Sequence, residues 1–135
     1  MKISKLKTDS DLEVNGVWVD IGDGAEILVA RIENPRYKER LRTLGKQYRH
    51  TMTRGMLPIE VQEELLYQTA SETILLDWKG ITDDDGKNIK YSQKKAYELL
   101  KEVRDFRDIV FEISETMNAY QREVEEEDSK NSKAS

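Results

Sequence analysis

The sequence predicts a mainly α-helical, α+β domain with a small β-hairpin near its N-terminus. From residue 35 onward apolar residues recur every three or four positions, which is typical of amphipathic helices. Between residues 12 and 32, β-rich runs flank a Gly-Asp-Gly turn. The length of 135 residues fits one domain. We place it at residues 12–124, after an N-terminal extension (1–11) and before a polar, acidic tail (125–135) that is predicted to be disordered.

The hairpin is the first predicted element. Its first run extends from Val14 to Ile21, and its second from Ile27 to Ile32. Gly22-Asp23-Gly24 separates them, and glycine and aspartate are the residues that tight turns favour. Trp18 lies in the first run and can supply a large apolar contact on one face.

A basic helix is predicted next. Asn34 is a suitable N-cap, and Pro35 suits the first helical turn. Gly55 is predicted to end the helix. Residues 31–54 contain eight basic and two acidic side chains, a local net charge of +6. One face of this basic helix carries a single narrow apolar stripe, formed by Tyr37, Leu41, Leu44 and Tyr48.

The central helix is predicted from Pro58 to Trp78, because its apolar face is the broadest in the chain. The segment Lys79–Tyr91 that follows is predicted to be exposed. Asp83-Asp84-Asp85-Gly86 within it indicates a turn. A calcium-binding EF-hand loop is excluded, because Gly86 at its sixth position would place Ile81 and Ser92 at the two acidic ligand positions.

Two further helices complete the prediction. Ser92 is the N-cap of the first. The second is predicted to be long and to reach Val124, with an apolar seam at alternating spacings of three and four residues. That seam can pack within the same chain or against a partner. Its members are Phe106, Val110, Ile113, Met117, Tyr120 and Val124.

Charge is strongly polarised along the chain. Residues 105–128 contain nine acidic and two basic side chains, a net of -7, against the +6 of residues 31–54. The two segments can face each other within a subunit or between subunits in a head-to-tail contact. The basic helix can also bind nucleic acid, but the acidic pI of about 5.1 and the absence of a recognised nucleic-acid motif argue against this.

Several kinds of site are excluded or disfavoured by composition. The chain has no cysteine, which excludes disulfides and thiol nucleophiles. The single histidine, His50, lies between Arg49 and Arg54, which would repel a metal cation. The longest apolar run is Ile27–Ala30, so we expect neither a membrane span nor a signal sequence. We predict no catalytic, metal-binding or cofactor-binding residues, and therefore no enzyme.

Three stretches resemble the tail assembly chaperones of long-tailed, lambda-like siphovirus bacteriophages. The first, WVDIGDGAEILVARIENPRY, runs from Trp18 to Tyr37 and the second, ILLDWKGITDDDG, from Ile74 to Gly86. The third continues from Tyr91 to Val110. The resemblance covers residues 17–114, and the order of the stretches is more specific than any one of them.

The resemblance implies a mostly helical protein that is not an enzyme. Such chaperones act in the cytoplasm of the infected bacterial host, bind the tape-measure protein and recruit tail tube subunits. They self-associate into spirals and are absent from the mature virion, and many are also made in a longer, frameshifted form. Two alternatives stay open: a structural tail or neck component of the virion, and a small nucleic-acid-binding regulator.

Either of two apolar stripes, together with two neighbouring arginines, is the candidate surface for self-association or tape-measure binding. The residues are Tyr37, Arg40, Leu41, Arg42, Leu44, Phe106, Val110, Ile113, Met117 and Tyr120.

Overall fold

The computed structural model describes residues 1–52 and 54–122. Within these ranges it has five α-helices and a three-stranded antiparallel sheet with strand order β1-β2-β3, which confirms the predicted mainly α, α+β class. The predicted disordered tail (125–135) and Val124 lie outside the described residues. The elements are α1 Ser10–Asn15, β1 Val17–Gly22, β2 Ala25–Val29, α2 Pro35–Lys46, α3 Ile59–Thr73, β3 Leu75–Lys79, α4 Gln93–Glu102 and α5 Arg104–Glu115.

The predicted hairpin is confirmed, but it begins later than the sequence indicates. Its turn residues Asp23 and Gly24 have φ angles of 53° and 77°, as a two-residue hairpin turn requires. Val14, predicted to open the first strand, lies in α1 instead. The physical reason is the cap at Asp9, whose side chain accepts hydrogen bonds from the N–H groups of Asp11 and Leu12 at 2.9 and 3.1 Å.

A third strand corrects the prediction that the central helix reaches Trp78. The helix α3 ends at Thr73, and β3 pairs antiparallel with β2, with Ile27 opposite Trp78. A short apolar run of this kind fits a buried helix end and a buried strand equally well. The strand forms because β2 needs partners for the backbone groups along its second edge.

The exposed turn after β3 is confirmed. The side chain of Asp83 accepts hydrogen bonds from the N–H groups of Asp85 and Lys87, each at 2.9 Å. Thr82 and Asn88 form an isolated antiparallel bridge across the base of the turn. The Asp83 side chain therefore forms an Asx turn that holds this segment.

The core lies between the sheet and the helices. The helix α3 contacts α2, α4 and β3, so it is the central helix that its broad apolar face indicates. The helix α5 contacts β2. The buried cluster consists of Ile27, Val29, Tyr37, Ala70, Ile74, Leu75, Trp78, Ala96, Leu100 and Val110.

The C-terminal helix is shorter than predicted. The helix α5 ends at Glu115, and a 3-10 turn, Met117–Tyr120, replaces the expected continuation toward Val124. This break lets the Tyr120 hydroxyl donate to the Val29 carbonyl at 3.1 Å. The N–H of Asp9 donates to the Tyr120 carbonyl at 2.7 Å, so residues of the predicted N-terminal extension are tied to the end of the described chain.

Candidate interaction surface

The helix α2 is held against α3 at two points. The Asn34 side chain accepts from the N–H of Arg36 at 2.9 Å, as the predicted cap requires, and its amide donates to the Thr73 carbonyl at 3.4 Å. Six residues further along, the Arg40 guanidinium makes two bonds to the Glu72 carboxylate, at 2.9 and 3.1 Å. This ion pair raises the pKa of Arg40. Both contacts are at the N-terminal half of α2.

An open apolar groove lies beyond these contacts, between α2 and the first turns of α3. Its volume is about 420 Å³. The one side-chain amide in its wall belongs to Gln62 and donates to the Leu57 carbonyl at 2.7 Å, so the amide is already engaged. We call this site the α2–α3 groove, and it is lined by Tyr37, Leu41, Gly45, Leu57, Gln62, Leu65 and Leu66.

Exposed apolar side chains lie in the segment that joins α2 to α3 and at the first residue of α3. The sequence predicted helix as far as Gly55, but α2 ends at Lys46 and leaves this segment as a connection. Met56 and Ile59 are each 67% exposed, and Met52 is 42% exposed. Ile59 is three residues before Gln62 and therefore lies on the same face of α3 as the groove. Sequence reasoning missed these residues, although large apolar side chains beside a Gly-containing turn were a usable signal.

A line of cations follows the groove along α2. Each α2 residue in the groove wall is followed by an exposed basic residue: Lys38, Arg42 and Lys46, which are one helical turn apart. Arg42 pairs with Glu39 at 2.6 Å. Within residues 1–52 and 54–122, Lys38 and Lys46 make no ion pair. Part of the +6 charge of residues 31–54 is therefore placed beside an apolar surface.

The predicted α2 residues divide between packing and the groove. Tyr37 and Leu44 are buried, and Leu41 is half-buried. Burial, with a smaller contribution from Glu33, raises the pKa of the Tyr37 phenol. Tyr37 and Leu41 also line the groove, whereas Arg40 is engaged with α3.

The predicted C-terminal seam is corrected at two positions. Val110 and Tyr120 are fully buried, so they are core residues of this subunit and not an exposed surface. The reason is that α5 packs on β2 and the 3-10 turn directs Tyr120 toward Val29. Phe106 and Ile113 are half-buried and pack against the core, while Met117 is also half-buried.

Other kinds of site find little support among the described residues. Over residues 1–52 and 54–122, no group of three or more histidine, aspartate or glutamate side chains is placed to bind a metal ion. His50 is exposed in the 3-10 turn Arg49–Thr51. No helix in the same ranges combines the length and hydropathy needed to cross a bilayer.

A known protein family matches most of the chain. A family model described as "YdaY prophage protein" matches residues 32–131, which include α2, α3 and the groove between them. No curated protein matches the chain, and no solved structure matches it.

Proposed function

This chain belongs to the YdaY prophage protein family, and from this premise we propose that it is a tail assembly chaperone. Family membership makes it a phage-derived protein. In the proposed role it is not an enzyme, and it binds the tape-measure protein and tail tube subunits during tail morphogenesis. It self-associates in the cytoplasm of the infected bacterial host and leaves before the virion is complete.

The observation that supports this proposal is an open apolar groove on a heavily charged chain. Charged residues make up 36% of the sequence, and the groove wall is almost entirely apolar. A tape-measure protein is long and rich in hydrophobic helical segments, so its chaperone must cover apolar surface without itself aggregating. Grooves of this kind bind the apolar face of a partner helix, and surrounding charge keeps the complex soluble.

Co-expression with the tape-measure protein of the same prophage tests the proposal. The tape-measure protein alone is expected to be largely insoluble, and the pair is expected to co-purify as a soluble complex through a tag on this chain. A control is the same tape-measure protein with an unrelated acidic protein of similar size. Failure to co-purify, with no gain in solubility over the control, would refute a chaperone role.

Mass spectrometry of purified virions separates this role from that of a structural component. A chaperone is expected to be absent or scarce relative to the tail tube protein. Stoichiometric recovery from particles would instead favour a tail or neck component. Sedimentation of the isolated chain tests the proposed self-association directly.

A further inference from the structure

We infer that the α2–α3 groove binds one amphipathic helix of a partner protein. Acidic residues lie along the side of that helix that faces α2, and its backbone comes closest to α2 at Gly45. This binding mode rests on the proposed function, since it gives the chemistry of the segment that the chaperone binds. Three features of the groove support it: a glycine that its own subunit does not require, the length of the apolar wall and the line of cations.

Gly45 is in the last turn of α2, where glycine is among the poorest helix formers. Its φ angle is not positive, so the backbone conformation does not require glycine. A Cβ atom at this position would meet nothing within 4 Å, so internal packing does not require glycine either. What the glycine provides is a low point in the groove wall, where the backbone of a bound segment can approach closely.

The apolar wall has the length of a short helical contact. Tyr37, Leu41 and Gly45 are successive positions one turn apart on α2, and eight residues of helix span about 12 Å. That distance matches about two turns of a bound helix, whose anchors would lie at positions i, i+3 or i+4, and i+7. Leu65 and Leu66 form the facing wall on α3.

The charged residues beside the groove favour a bound helix of opposite charge. Lys38, Arg42 and Lys46 follow the α2 wall with the same one-turn spacing as the apolar residues. On the α3 side, the neutral Gln62 lines the groove and Glu63 follows it. Arg42 is paired with Glu39, but Lys38 and Lys46 make no ion pair within residues 1–52 and 54–122, and both lie on the α2 side. An acidic flank on the bound helix would therefore face α2.

The test uses two synthetic helical peptides as probes, with the same leucine pattern but either glutamate or lysine flanks. Affinities are measured by fluorescence anisotropy for the full chain and its variants. Gly45→Phe, which fills the groove, is expected to weaken binding of the glutamate-flanked peptide about tenfold or more. Gly45→Ala adds only one methyl group at the point of closest approach, so it is expected to weaken the same peptide by about threefold, between the wild type and Gly45→Phe.

Charge reversal gives a second, independent readout. The double variant Lys38→Glu/Lys46→Glu is expected to weaken the glutamate-flanked peptide and to strengthen the lysine-flanked one. Lys87→Glu is the control, because Lys87 is exposed in the turn after β3, away from the groove. Circular dichroism shows whether each variant folds, and the charge variants test the groove even if Gly45→Phe does not.

Several outcomes would overturn this assignment. Unchanged peptide affinity in a folded Gly45→Phe variant would exclude the groove, and preference for the lysine-flanked peptide would exclude the acidic flank. Loss of self-association alone in Gly45→Phe would assign the groove to a second copy of this chain. If Gly45→Phe still co-purifies with the tape-measure protein, the groove assignment fails and the chaperone role stands. If the wild-type chain binds the glutamate-flanked peptide but does not capture the tape-measure protein, the groove assignment stands and the chaperone role fails.

Discussion

Tyr120 provides the sharpest test of how the C-terminal part of the chain is used. Its side chain is fully buried, its hydroxyl donates to the Val29 carbonyl at 3.1 Å, and the Arg31 guanidinium lies 5.9 Å from its ring centroid. Burial raises the pKa of the Tyr120 phenol. If the predicted seam instead packed against a partner, Tyr120 would lie on a binding surface. The two arrangements predict different consequences of the same substitutions.

The expected losses in the free energy of unfolding follow from these contacts. Tyr120→Phe keeps the ring and removes one hydrogen bond, which costs about 1 kcal/mol. Tyr120→Ala also removes the ring and leaves a cavity, so it costs about 3–5 kcal/mol. For a domain of this size, each kcal/mol lowers the melting temperature by about 4 °C. Ile109→Ala is the matched control on α5, because Ile109 is 38% exposed, and its cost is expected to stay below about 1 kcal/mol.

Urea unfolding of the isolated chain, followed by circular dichroism, measures these differences. The order of stability is expected to be wild type, then Tyr120→Phe, then Tyr120→Ala. If Tyr120→Ala unfolds at the same urea concentration as the wild type but loses partner binding, then the residue is a surface contact. That result would refute the core assignment of the 3-10 turn.

Three other predictions follow from local geometry. Gly80→Ala should cost about 3 kcal/mol or more, because its Cβ would lie 2.3 Å from the Gly24 carbonyl oxygen at a φ of +74°, whereas Gly86→Ala, at a φ of +80° with open space, should cost about 1–2 kcal/mol in the same urea assay. Equal costs would contradict the clash. Burial raises the pKa of Tyr91 to about 12, so the folded state binds this proton more tightly, and stability should fall as the pH rises from about 10 toward 12. Thermal melts of Tyr91→Phe should show that its melting temperature falls less over this pH range than that of the wild type. An identical fall in the two proteins would show that Tyr91 is not its cause. Arg40→Lys should cost about 0.5–1 kcal/mol in urea unfolding, because lysine cannot make the two-bond pair with α3, and no change would show that this half-buried pair contributes nothing.

The starts of α2 and α4 and the hairpin turn were predictable, because the hydrogen bonds and backbone angles that produce them involve only neighbouring residues. Asn34 and Ser92 cap helices through N–H groups two or three residues away. Gly22-Asp23-Gly24 forms its turn through its own backbone angles. No distant residue is needed for any of these, so the sequence is sufficient.

The end of the central helix was not predictable in the same way. The residues from Leu75 to Trp78 are apolar enough for a buried helix or a buried strand. Their strand conformation depends on β2, which lies more than forty residues earlier in the chain. A partner so distant leaves no trace in local periodicity.

The candidate site shows the same division. The spacing of Tyr37 and Leu41 singled them out, and both line the α2–α3 groove. Their facing residues on α3 and the neighbouring Leu57 could not be assigned, because the predicted end of α2 was nine residues too late (Gly55 against Lys46).

The sequence by itself determined the mainly helical class, the hairpin, the starts of α2, α3 and α4, and the opposite charges of the two segments, because each depends on neighbouring residues or on composition. Only the tertiary structure decided which apolar stripe is buried and which stays open. Val110 and Tyr120 enter the core because β2 lies beneath them, whereas the groove beside Gly45 stays open because no described side chain fills it. Whether a residue is buried depends on which element packs against it, and the tertiary fold determines that element.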